Sequence, residues 1–398
     1  MKANAVEGRT LDWAPWPRYE EAEIEAVARV LRSGKVNQWT GEEVVAFEND
    51  YASYLSRNHA VALMNGTVAL ELAMVALGIR PGDEVITTPR TFIASASASV
   101  LHGATPIFAD VDRDSGNITA ETIQRVLTPR TKAIVVVHLA GWPADMRPIM
   151  DLASEHGIVV IEDCAQAHGA ISNGRRVGSF GHAAAFSFCQ DKIITTMGEG
   201  GLLALDDEDA WRAAWSYKDH GKSFSAVFER EHPPGFRWVH ETFGTNWRML
   251  EAQAVVGRLQ LARLDEMVKM RNRNARVYRE SLSGLDALRM PEVREGDVHA
   301  HYKLYAYMES AALRPTWNRD RIMLELTGMG VPVTTGSCSE IYLEKAFTSR
   351  GFGPGQRLPV ARELGETALM FQVHPNLERS MVETAADMVR SVVLRATR

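Results

Sequence analysis

The sequence predicts an α/β fold. A large domain over residues 1–249 is expected to carry a mostly parallel sheet, and a linker helix with a smaller α+β domain is expected over residues 250–398. Three observations predict it. Short, nearly continuous apolar runs recur between Ala60 and Ile161, the pattern of strands buried on both faces. Helical segments with Gly or Pro punctuation separate them, which is the βαβ rhythm of a doubly wound sheet. A chain of 398 residues also exceeds one ordinary core.

The elements follow in order. Residues 1–17, with Trp13, Pro15, Trp16 and Pro17, read as an irregular arm. Ile24, Val27, Val30 and Leu31 repeat at helical spacing before a stop at Gly34, and Val44, Phe47 and Tyr51 predict a second helix. Ala60–Met64 is a strand, Asn65-Gly66-Thr67 a turn, and Val68–Leu77 a helix closed by Gly78. Asp83–Thr88 is the next strand and Thr91–Leu101 a helix rich in Ala and Ser. Pro106–Ala109, Ala133–Val137 and Ile158–Ile161 are further strands. Residues 207–250 are less regular. One long helix is expected from Leu250 to about Tyr278, with Ala254, Gly257, Leu261 and Leu264 on one face. A strand (Tyr302–Tyr307), a helix (Arg319–Thr327), a strand near Val331–Val333 and a final helix from about Arg379 complete the smaller domain.

Composition narrows the function. Apolar residues make up 45% and charged residues 24%, as in a soluble globular protein. The net charge of −6 gives no electrostatic case for nucleic acid. Three cysteines without metal-ligand spacing argue against a disulfide framework or a metal site. No apolar run approaches a membrane span, and the N-terminus lacks a signal core, so a cytoplasmic protein is expected.

The chemistry concentrates around Lys192. It precedes the glycine turn Gly198-Glu199-Gly200-Gly201 and is expected to be partly buried between two apolar strands. Burial of an ammonium is expensive and lowers its pKa, as Schiff-base chemistry requires. Asp163 ends the apolar run Val159–Glu162, at the strand end where open sheets bind ligands. A lysine and such a carboxylate suit pyridoxal phosphate (PLP): the lysine joins the aldehyde and the carboxylate keeps the pyridine nitrogen protonated. Asn65-Gly66-Thr67, at a strand–helix junction, suits a phosphate, although plain turn chemistry explains the same residues. Phe92 is as consistent with stacking on a flat ring as with an ordinary core position. Ser187 is a phosphate ligand or a strand-end serine. Asn246 and Arg248 are phosphate ligands or part of an N-capping turn. Glu162 points to the opposite face from Asp163 and reads as structural.

Together these residues resemble the DegT/StrS family of PLP-dependent aminotransferases, which act on nucleotide-linked keto-sugars. The resemblance covers nearly the whole chain. It runs through Trp39-Thr40-Gly41, Asn65-Gly66-Thr67-Val68-Ala69-Leu70, Pro81-Gly82-Asp83-Glu84-Val85 and Glu162-Asp163-Cys164-Ala165-Gln166-Ala167-His168-Gly169. It continues through Ser187-Phe188, Lys192, Gly198-Glu199-Gly200-Gly201, Asn246-Trp247-Arg248-Met249, Glu340-Ile341-Tyr342 and His374-Pro375. It implies the PLP-dependent transferase fold of aspartate aminotransferase type I. It implies Lys192 as the Schiff-base lysine, Asp163 at the pyridine nitrogen, Gln166 at the ring, Phe92 stacked on it, and Gly66, Thr67 and Ser187 at the phosphate. Asn246 is implied to reach the cofactor of a partner subunit, making a homodimer with shared active sites. Arg248, Tyr342 and His374 are implied substrate contacts. Asn65 departs from the serine usual there, and Met197 from a small residue. The segment 222–243 looks inserted.

The implied reaction moves an amino group from L-glutamate, by way of a pyridoxamine form, to a nucleotide-linked keto-sugar. The turn from Ile193 to Gly201 resembles members that aminate C4 of a 4-keto-6-deoxyhexose, and the product class belongs to amino sugar and polysaccharide biosynthesis. Alternatives are a 3-keto sugar, a cyclitol ketone or aminobenzoate precursor as acceptor, a PLP-dependent sugar dehydratase, and a non-catalytic regulatory protein of the same fold. The dehydratases carry histidine where this chain has Lys192.

Overall fold

The computed structural model describes residues 13–398, so the first twelve residues of the expected arm lie outside the described part. Two helices open the fold. Helix α1 (Glu21–Ser33) starts with reciprocal Glu20 and Glu23 bonds and ends at Gly34, and α2 is Glu43–Leu55. A seven-stranded sheet follows: β1 (His59–Leu63), β2 (Glu84–Thr87), β3 (Thr105–Phe108), β4 (Thr131–Val137), β5 (Val159–Asp163), β6 (Ala183–Ser187) and β7 (Gly201–Leu205). Its order is β1-β7-β6-β5-β4-β2-β3. β7 is antiparallel to both its neighbours, and the other strands run one way. The helices between them include α3 (Gly66–Ala76), α4 (Ala94–Leu101) and α5 (Met146–His156), with α6 (Glu208–Lys218) after the last strand. Every residue of β2, β6 and β7 is buried, which is why these runs lack a polar alternation.

The expected single helix after Leu250 is two: α7 (Glu251–Ala262) and α8 (Leu264–Leu282). The break is at Arg263, whose φ and ψ of −107° and 1° leave the helical region. Its guanidinium is drawn to Glu20 and Glu23 at the start of α1. The halves serve different cores. Val255 and Val256 of α7 pack with Ala26 and Val30 of α1, whereas Ala275, Tyr278 and Leu282 of α8 join the C-terminal core. That core lies between α8, the final helix (α10, Arg379–Ala396, after α9, Arg319–Gly328) and a four-stranded antiparallel sheet. The sheet has the order β8 (Leu288–Arg289), β9 (Leu304–Met308), β11 (Ala368–Phe371), β10 (Val333–Thr334).

Residues 13–20 carry no regular structure but are tied down. The Trp13 indole donates to Gln372 at 2.9 Å, and the Trp16 indole donates to the Lys192 carbonyl at 2.9 Å. The arm thus pins the lysine loop to the C-terminal part. Among the described residues no helix is long and apolar enough to cross a membrane.

Candidate active site

The parallel strands point their carboxyl ends at one edge of the sheet, and the cavity lies there, as open α/β sheets require. It measures about 1100 Å³. Gly66 and Thr67 follow β1, Thr91 and Phe92 follow β2, Asp163 ends β5, and Ser187 ends β6. All of these line the cavity with Gln166 and Lys192.

The phosphate-sized corner is built by close approach. Asn65 caps α3 by accepting the Val68 N–H at 3.0 Å. That leaves the first N–H groups of α3, at Gly66 and Thr67, facing outward without carbonyl partners. A Cβ on Gly66 would stand 2.5 Å from the Ser187 Cβ. Only glycine lets Ser187 sit against the helix N-terminus. On the far side, a Cβ on Gly201 would meet the Asn65 carbonyl oxygen at 2.1 Å. The glycine turn after Lys192 therefore lets β7 slide under the turn after β1.

Lys192 is half-buried in the loop from Phe188 to Gly200. The loop is fixed on both sides of it. Ile193 and Ile194 enter the core, and the Thr195 N–H donates to Gln260 at 2.8 Å. The Phe188 carbonyl accepts from the Thr195 hydroxyl and the Thr196 N–H. The ammonium lies 5.1 Å from the centroid of the Tyr302 ring, a cation–π distance.

Asp163 is 5% exposed. One oxygen accepts from the Ser95 hydroxyl at 2.6 Å and the other from the Ala165 N–H at 3.1 Å, so each keeps a further lone pair. The Gln166 side-chain oxygen accepts the Ala140 N–H at 2.7 Å, which aims the side chain across the cavity wall. Phe92 is 66% exposed, with a face free for stacking. His168 lies behind Ser187. Its Nε2 is 2.8 Å from the Ser187 carbonyl, which can only accept, so Nδ1 is the bare nitrogen that accepts from the Tyr51 hydroxyl at 2.7 Å. Burial pushes His168 down to about 3, with the Lys192 and Arg271 charges adding to it and the Ser187 bond opposing. It is neutral and braces the strand end.

Four expected site residues lie outside this cavity. Asn246 is exposed and paired through its backbone with Asp219. Arg248 donates to Asp219 at 2.7 Å. Burial would raise Asp219, but the Lys222 hydrogen bond and the Lys222, Arg248 and Lys218 charges outweigh it and hold the carboxyl low. Tyr342 is buried against Phe108, and its hydroxyl donates to Glu340 and accepts the Leu358 N–H, so only its neighbour Ile341 reaches the cavity. His374 stacks on Trp16 with centroids 5.7 Å apart, in an adjoining pocket.

Sequence reasoning missed other wall residues. Ser95 orients Asp163, and Tyr302, Lys303 and Tyr305 come from β9 and its approach. None lies in a motif next to the glycine turn, and only the folding back of the C-terminal part brings them close. One trio, His138, Glu162 and Cys164, has metal-ligand proximity among the described residues. Its lone pairs are in use: Glu162 accepts the N–H groups of Gly178, Phe180 and Gly181 and the His138 Nε2–H. It is a buried strut, as the opposite-facing position of Glu162 predicts.

Comparison with known proteins places this geometry among transaminases. The DegT/DnrJ/EryC1/StrS aminotransferase family matches residues 17–390. The chain is 35% identical over 375 residues to the dTDP-3-amino-3,4,6-trideoxy-alpha-D-glucose transaminase of Streptomyces venezuelae, covering 94% of this chain and 93% of that protein. It is 37% identical over 316 residues to the GDP-perosamine synthase of Caulobacter vibrioides, covering 79% and 81%. The X-ray structure of an aminotransferase from Psychrobacter cryohalolentis superposes with a TM-score of 0.95 at 52% identity, covering 96% of this chain and 99% of that one.

Proposed function

The chain belongs to the DegT/DnrJ/EryC1/StrS aminotransferase family of PLP-dependent enzymes, and we propose that it transfers an amino group from L-glutamate to a nucleotide-linked keto-sugar. The observation that carries this is the meeting of Lys192, Asp163 and the α3 N-terminus in one cavity. The residues fit PLP: the Gly66–Ser187 approach leaves a cradle that any larger side chain would fill. Gly66, Thr67 and Ser187 would hold the phosphate, Phe92 and Gln166 would hold the ring, and Asp163 would serve its nitrogen.

When bound, PLP supplies an electrophilic aldehyde carbon and a ring that accepts electron density. Lys192 supplies the amine for that carbon. Its Nζ would take the proton from the donor Cα and later return one, serving as base and then acid. Asp163 holds the proton on the ring nitrogen, and Ser95 orients Asp163. The neutral His168 adds no positive charge beside Lys192.

The names of the Streptomyces venezuelae and Caulobacter vibrioides relatives carry a dTDP-linked and a GDP-linked sugar, which supports a nucleotide sugar as acceptor. The turn from Ile193 to Gly201 favours a 4-keto-6-deoxyhexose. We assign the active unit as a homodimer in which Asn246 and Arg248 serve the partner's site, consistent with their lying outside the cavity of their own subunit.

The decisive experiment offers glutamate with a panel of nucleotide 4-keto and 3-keto sugars and reads products by mass spectrometry. Amination of a 4-keto-6-deoxy sugar is expected. If only a cyclitol ketone is aminated, the sugar assignment is lost. Borohydride should fix the cofactor on Lys192; a label on any other lysine would retire its role.

A further inference from the structure

Beside the large cavity lies a second one of about 310 Å³. Arg271 lines it and is 1% exposed. Its Nη1 donates to the carbonyls of His301 and Tyr302 at 3.3 and 3.2 Å. Among the described residues its Nε and Nη2 have no partner, and none of their carboxylates lies within ion-pair distance. Both ring nitrogens of His374 are likewise buried and without a partner among the described residues. Lys303 stands on the same wall. The nearby acid, Asp191, already accepts the Tyr302 hydroxyl.

A buried guanidinium without a counter-charge is costly, and proteins hold one where an anion completes it. Burial pulls Arg271 down to about 9, with Tyr302 and Asp191 opposing, so it remains charged at neutral pH. Its two free donors lie in one plane, which matches a planar carboxylate better than a point anion. The Trp16 ring, 4.9 Å from the guanidinium carbon, covers its face and leaves its edge for the ligand. Asp191, Tyr302, Lys303 and Gln372 line both cavities, so an amino acid reacting at Lys192 has this pocket next to it.

We propose that this pocket is the subsite for a carboxylate of the amino donor, with Arg271 as its anchor and Lys303 and His374 as flanking groups. The assignment rests on the transamination proposed above. A phosphate of the acceptor nucleotide shares the same anionic chemistry, and the two half-reactions separate these sources.

Cofactor-loaded protein is titrated calorimetrically with glutarate, a dicarboxylate without an amine. In parallel, single turnover with L-glutamate alone is followed by cofactor absorbance. Glutarate should bind and compete with glutamate. R271K and K303Q should each weaken glutarate binding and raise the glutamate half-saturation tenfold or more, with the limiting rate changed less than threefold. Half-saturation by the keto-sugar in the second half-reaction should not move. K303Q sits on the partly exposed wall, so it tests the pocket even where R271K fails to fold. Unchanged glutamate half-saturation in the folded variants overturns the proposal. So does an effect confined to the keto-sugar half-reaction, which would give the pocket to phosphate. Arg271-dependent glutarate binding in a protein that never reacts with glutamate would retire the transamination and keep the carboxylate pocket.

Discussion

The role proposed for Lys192, an exchangeable amine, depends on fixed neighbours. Ile193 and Ile194 are packed in the core, and the Trp16 indole holds the Lys192 carbonyl. The backbone is tied on both sides, and the side chain is the part that reaches the cavity. K192A is expected to lower the amino-transfer rate by roughly 10²–10⁴-fold, the usual contribution of a positioned acid–base. Stopped-flow absorbance with glutamate measures it, and a rate within tenfold of wild type would remove Lys192 from proton transfer. His168 gives a pH prediction at the same scale. It sits at about 3 when folded and near about 6.5 when unfolded, so the unfolded chain takes up the proton first as pH falls. The stability it contributes is complete above pH ~6.5 and declines toward pH ~3, at about 1.4 kcal/mol per pH unit at most. His301 and His374, also buried and held at about 3, act in the same direction. The melting temperature should therefore fall between pH 7.5 and 5. H168Q, which cannot take up the proton, should lose less over that range than wild type; an equal loss would place the titration elsewhere.

At the scale of elements, close packing decides the outcome. Gly257 of α7 faces α2, where a Cβ would stand 2.8 Å from the Phe47 ring. G257A should destabilise the protein by roughly 1–3 kcal/mol through overpacking, visible as a lower melting temperature with the cofactor still bound. G66A should behave differently: it forces Ser187 off the α3 N-terminus and is expected to weaken cofactor binding more than folding. Equilibrium dialysis against the cofactor separates the two variants. Glu162 tests the strut behind β5. Burial would raise its carboxyl, but His138 and the N–H groups of Gly178 and Gly181 outweigh it and hold it low. E162Q would turn a donor toward donors and should cost roughly 3 kcal/mol or more. These elements also mark how far the sequence could be read. The strands β1, β2, β4 and β5 were legible because burial on both faces leaves nearly continuous apolar runs, and Gly34 closes α1 as expected. The break at Arg263 was not, because its cause is an ion pair with Glu20 and Glu23, about 240 residues away in the chain. Gly66, Asp163 and Ser187 could be proposed because each ends or follows a strand. Ser95 and Arg271 could not, since a serine in an Ala/Ser-rich helix and an arginine in a charged helix carry no local sign of what they face.

At the scale of the whole molecule, several aromatic side chains among the described residues stay uncovered by the chain's own packing. Phe228, Phe236, Trp238 and Phe243 are 60%, 77%, 82% and 98% exposed, all within the segment that looked inserted or next to it. Isolated exposed aromatics are ordinary, but Phe236 and Trp238 pack edge to face at 4.8 Å, and Phe243 follows in the stretch that leads to Asn246 and Arg248, an apolar patch that water does not favour. A second copy covering this patch would bring Asn246 and Arg248 toward a site other than their own, which is what the proposed shared active sites need. Aromatic anchors at the centre of an interface each contribute roughly 2 kcal/mol or more. W238D with F243D should therefore shift sedimentation from dimer to monomer at micromolar protein. Activity should fall with the dimer fraction, because each site would lose its partner's Asn246, while Lys192 still takes up cofactor within the subunit. Recovery of activity at high protein concentration would tie the loss to association. A monomeric wild-type protein with full activity would show that one chain holds the complete site, and Asn246 would then have to act on its own subunit or not at all.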